Sequence, residues 1–125
     1  MIYDSSTALW TLDIDNSTDD FKLVKSKEVN SETLTPAGVV LIVNKSWPKI
    51  QIKYFVQRSD TIVISIPESE VLTQRMGTMG AEQFMSSTTY SFTELTDVNY
   101  VKYEFEAGVH ALPGVYSRES WNAQH

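Results

Sequence analysis

MGTMGAEQFMSSTTYSFTELTDVNYVKYEFE, residues 76–106, holds the longest helix pattern in the chain and hands it straight to a strand. Ala81, Phe84, Met85, Thr88, Phe92 and Leu95 recur at the i, i+3, i+4, i+7 spacing of one helix face. After the turn at Thr96-Asp97, Val101, Tyr103 and Phe105 alternate with Lys102, Glu104 and Glu106, which is the period of a half-buried strand over 98–106. The stretch opens on Gly77-Thr78-Met79-Gly80, where two glycines break this long helix from a short one over 70–76.

Working outward, the segment before it reads as a β-hairpin. Ile50, Ile52, Tyr54 and Val56 share one face, and Ile62, Ile64 and Ile66 repeat the alternation after Arg58-Ser59-Asp60. Pro67 closes the second strand. Further back, Thr35-Pro36 is a helix start, with a hydroxyl N-cap and a proline whose missing N–H costs nothing in the first turn. The β-branched run that follows would also suit a strand, but Trp47-Pro48 supplies a stop and favours a helix over 36–46. Residues 1–33 form an extension in which Ala8, Trp10, Leu12 and Ile14 alternate, Asn16 to Asp20 turns, and Phe21 to Lys25 returns as a second strand. Beyond residue 107 the tail has no period and reads as an ordered loop with a frayed end.

These elements predict an α+β domain over 34–125: a two-layer sandwich with a mainly antiparallel sheet, helices on one face, and the order (ββ)αββααβ. The 125 residues suffice for one ordinary core. Sixteen acidic against ten basic residues give a net charge of −6, which disfavours a phosphate backbone or an anionic lipid surface as partner. No cysteine is present, so disulfides, thiolate metal sites and a cysteine nucleophile are all excluded. No apolar run is long enough to span a bilayer, and MIYDSSTALW has neither the basic nor the apolar region of a signal peptide.

Chemistry is sparse. A hydrolase triad would have to use His110, because His125 is the final residue, and no strand-Ser-helix elbow accompanies it. The acidic run from Asp13 to Asp20 fails the calcium-loop register, with Thr18 where glycine belongs and Val24 in place of the bidentate glutamate. Gly77-Thr78-Met79-Gly80 between two helices has the layout of a KH-type backbone clamp. Its central residues carry no cation, and the plainer reading is that the glycines let two helices turn sharply. The sequons at Asn16 and Asn44 are read as chance matches. In the tail, Tyr116, Arg118 and Trp121 are residue types enriched at interface hot spots, although the two aromatics would equally cover the open sheet.

The hairpin IQIKYFVQRSDTIVISIPES, followed by a helix ending in TTYSFTELTDVNYVKYEFEAG, resembles the GerMN domain, the sporulation and spore-germination module. The likeness spans about residues 36–108 and rests on Tyr90-Ser91-Phe92-Thr93-Glu94, Val98, Val101 and Gly108. The Gly77-x-x-Gly80 step and the long tail depart from the family pattern. The resemblance implies a non-catalytic module of a bacterial envelope protein or lipoprotein, extracytoplasmic, with a lipid anchor upstream and a protein or cell-wall component as partner. It supplies no ligand-binding residues. The expected working surface is therefore drawn from Gly77, Gly80, His110, Tyr116, Arg118 and Trp121, with no cofactor, metal or nucleic acid. The alternatives are a KH-like nucleic-acid binder in the cytoplasm and, third, a small hydrolase.

Overall fold

The computed structural model describes residues 3–4, 6, 8–15, 20–25 and 33–122; the turn expected at Asn16, the linker before Thr33 and the C-terminal His125 lie outside them. The elements are β1 (Trp10–Asp15), β2 (Asp20–Lys25), α1 (Pro36–Ser46), β3 (Lys53–Arg58), β4 (Thr61–Ser65), a π turn (Val71–Arg75), α2 (Gly77–Phe92), β5 (Tyr100–Glu104), β6 (Gly114–Tyr116) and a short α3 (Glu119–Asn122). This is a mixed α+β fold. β1 and β2 form a separate antiparallel pair, while the main sheet runs β3-β4-β5-β6. Within it only β4 and β5 are parallel, joined through the π turn and α2.

The helix start at Thr35 wins over the strand propensity of α1 because its hydroxyl accepts the Gly38 N–H at 3.0 Å. Val39 and Val43 then face the core, and Trp47 closes the helix with its N–H on Val43 O at 2.9 Å. Asn44 holds the outgoing chain, donating to Ile52 O at 3.1 Å and accepting the Ile52 N–H at 2.8 Å. The Asn44 sequon thus coincides with a side chain already committed to the fold.

The hairpin departs from simple alternation. Tyr54 pairs with Ile64 and Val56 with Val63, so Phe55 is the extra residue of a bulge. That extra residue turns Val56 away from the face of Ile50 and Ile52. Ile62, Ile64, Val101 and Tyr103 face α1 and α2 in the core, together with Phe84, Phe92 and Trp47. On the opposite face lie Lys53, Val56, Arg58, Val63, Tyr100, Lys102, Glu104 and Val115.

α2 starts earlier and ends earlier than its apolar spacing suggests, and it is not amphipathic. Every residue from 84 to 92 is buried. The residues around β1 supply the cover on one side: Ala8, Leu9 and Trp10 pack near Ser87, Thr88 and Ser91. Such burial is tolerable because the hydroxyls bond back into the helix. Ser87 donates to Gln83 O at 2.7 Å, Thr89 to Met85 O at 2.8 Å and Ser91 to Ser87 O at 2.7 Å. Tyr103 OH bonds Thr89 Oγ1 at 2.7 Å, and complete burial pushes that phenol far above its ordinary value.

Candidate functional site

The tail is the largest departure from the sequence reading. Residues 114–116 pair with β5 as a fourth strand, and Trp121 is a core residue at 6 % exposure. What brings the tail back is Gly108. A Cβ there would collide with Thr73, and His110 N donates to Thr73 O at 3.1 Å, so the loop lies flat on the π turn. Ser69 Oγ adds a bond to Glu106 O at 3.2 Å.

The returning tail leaves a cleft of about 370 Å³ beside the first half of α2. Its floor is Met85, Ala111, Tyr116 and Trp121, and the Tyr116 and Trp121 rings stack with centroids 5.5 Å apart. Tyr116 is fixed from both sides: its OH donates to Leu112 O at 2.7 Å, and its ring meets Tyr103 edge-on. Burial raises its phenol above the ordinary value. At the mouth, Val109 and Leu112 are exposed at 76 % and 61 %. Thr78 Oγ1 and His110 Nδ1 lie 2.9 Å apart across one end, and among the described residues Glu82 is the one carboxylate in the lining.

Three expected site residues, His110, Tyr116 and Trp121, therefore meet in one place. Gly77 and Gly80 do not line the cleft. They belong to the first turn of α2, where Gly77 takes a left-handed φ of 75° that reverses the chain out of the π turn. The Gly-x-x-Gly step is consequently part of a helix, not a loop between two.

Arg118 goes elsewhere. Its guanidinium lies 4.6 Å from the Tyr90 ring centre and 5.1 Å from that of Trp10. It donates to Thr93 Oγ1 at 2.8 Å and to Tyr90 O at 3.1 Å, satisfying a carbonyl in the last turn of α2. Glu94 completes the cluster with Lys25 at 3.2 Å, Arg118 at 3.5 Å and the Trp10 Nε1–H at 3.0 Å. This clasp joins the β1–β2 pair, the end of α2 and the tail.

Val109 and Leu112 belong to the cleft without any sequence reading to mark them, and Met85, read only as part of the apolar helix face, joins them there. The one available signal was the apolar character of Val109 and Leu112 in an otherwise aperiodic loop. Among the described residues, no group of three or more His, Asp or Glu side chains is placed to hold a metal ion, and no helix is long and apolar enough to cross a membrane. No protein-family model, curated protein or solved structure matches the chain.

Proposed function

We propose that this chain is a non-catalytic binding or assembly module of a bacterial cell-envelope protein, resembling GerMN, which seats an apolar group of a protein or cell-wall partner in the cleft beside α2. The observation that carries the reading is the stacked Tyr116–Trp121 floor beneath an exposed Val109 and Leu112. An aromatic floor with a small polar rim is the composition of a binding hot spot. The His110 ring, hydrogen-bonded to the Thr78 hydroxyl at 2.9 Å, contributes a polar group to that rim.

The KH-like alternative calls for a loop whose backbone approaches phosphate. The helical geometry of residues 77–80 lends it no support. A photo-crosslinking residue placed at Leu112 in the cell, with a matched control at exposed Leu41 on α1, tests the proposal directly. The expected result is a crosslink to an envelope protein or to cell wall from Leu112 alone, together with recovery of the chain in the envelope fraction. Cytoplasmic recovery, or binding of single-stranded RNA that weakens steeply with salt, would overturn it.

A further inference from the structure

A second recess lies past the last turn of α2, where the β3–β4 turn, the start of β5 and the tail come together. Its volume is about 370 Å³, in the range of small-ligand clefts, and it is open along one side. Asp60, Asn99, Tyr100, Ser117, Arg118 and Glu119 line it. The cleft beside the first half of α2 shares none of these residues.

Backbone bonds fix the frame of the recess. Asp60 O accepts the N–H of Asn99 at 2.9 Å and that of Tyr100 at 3.1 Å, so the turn holds the approach to β5. Val101 pairs with Tyr116, which brings Ser117 beside Tyr100. Ser117 N–H donates to Ser120 Oγ at 3.0 Å, and Arg118 is anchored on Thr93 Oγ1 and Tyr90 O. A lining held in this way is preorganised, so binding carries little ordering cost.

The chemistry of the lining narrows the ligand. Asp60 and Glu119 oppose an anion. The Arg118 guanidinium, already donating to Thr93, Tyr90 and Glu94, has little left to offer one. Its charge in turn opposes a cation. An uncharged ligand rich in hydroxyls suits every group present. The carboxylates accept hydroxyl protons, and the Asn99 amide and the Ser117 hydroxyl both donate and accept. Tyr100, 42 % exposed, adds a ring whose electron-rich face suits polarised C–H groups. A sugar ring presents both, with hydroxyls around its edge and C–H groups on its face.

We infer that this recess binds a segment of a neutral glycan, with one sugar ring laid on Tyr100 and its hydroxyls bonded to Asp60, Asn99 and Glu119. The open side lets the glycan chain continue past the recess in both directions. The site stands apart from the cleft and holds whether or not the cleft seats a protein partner.

The test is an NMR titration of the whole protein with three neutral trisaccharides at millimolar concentration: cellotriose, maltotriose and chitotriose. Amide signals of Asn99, Tyr100 and Ser117 should shift with at least one of them. Tyr100→Ala should weaken that binding by about tenfold or more, Asn99→Ala should weaken it as well, and Leu41→Ala on α1 should leave it unchanged. Tyr100→Phe keeps the ring and should retain binding; with Asn99→Ala it reads the site even if Tyr100→Ala disturbs the strand. No shift with any of the three sugars overturns the inference. So do shifts confined to Val109, His110 and Trp121, or binding that survives both alanine variants unchanged.

Discussion

Single atoms decide several features of this fold. At Gly108 the missing Cβ is what lets the loop lie on Thr73. Gly108→Ala should therefore lower stability by about 1–3 kcal/mol, the usual cost of forcing atoms into a packed site, as read from urea unfolding. Tyr103→Phe makes a gentler cut. It removes the hydroxyl held by Thr89 and Met85 O, while Thr89 keeps its own bond to Met85 O. The expected loss is about 1 kcal/mol, the net worth of a buried hydrogen bond. A much larger loss would mean that the Tyr103 hydroxyl also fixes the helix position. Neither role is legible in the sequence. Gly108 sits in an aperiodic tail, and the alternation of β5 shows Tyr103 only as an apolar position, with no hint of where its hydroxyl goes.

At the scale of elements, the sequence shows the starts, stops and periods and hides the partners. The limits of α1 follow from Thr35-Pro36 and Trp47-Pro48, because capping is local chemistry. The burial of α2 from 84 to 92 is not local. Ser86, Ser87, Thr89 and Ser91 look like a solvated face, and only the carbonyl bonds and the cover from β1 make them core. The bulge at Phe55 likewise defeats a period-2 reading of β3. The clasp on Glu94 offers a pH test. Burial pushes its carboxyl up, but bonds from Lys25 and Trp10 and the charges of Lys25 and Arg118 outweigh this and hold it below the ordinary 4.5. The unfolded chain takes up that proton at higher pH than the folded one. The clasp's contribution is thus complete above the ordinary glutamate value and drains away as pH falls through the folded value. Glu94→Gln should flatten the acid side of a melting-temperature profile. Equal slopes in both proteins would exclude Glu94 as a source of acid sensitivity. The tail gives a second test, since Trp121→Ala should cost about 3–5 kcal/mol as a large buried aromatic, checked by thermal melting.

Across the whole molecule, charge is unevenly placed. The chain carries −6, yet the sheet face turned from the helices holds Lys53, Arg58 and Lys102 against Glu104 among the described strand residues. Composition averages over faces and so cannot reveal this. The cleft is a property of the whole fold in the same way, because it exists only where the returning tail meets α2. Its rim should separate binding from stability. Leu112→Asp alters an exposed side chain and should leave the unfolding free energy within about 0.5 kcal/mol of wild type, while abolishing any crosslink formed from neighbouring Val109. A collapse in stability would instead place Leu112 among the supports of the tail.

The clasp also sets an order of events during synthesis. β1 and β2 emerge before α2, the surface they rest on, and a lone two-stranded hairpin is marginal in water. α2 in its turn waits for Arg118 to reach the Tyr90 carbonyl and for Trp121 to enter the core. Contacts so distant along the chain form slowly. A growing chain therefore presents an unsupported strand edge, and a helix rich in hydroxyls, until residues 114–121 appear. Its most exposed moment, for a chaperone or for aggregation, falls just before the tail arrives.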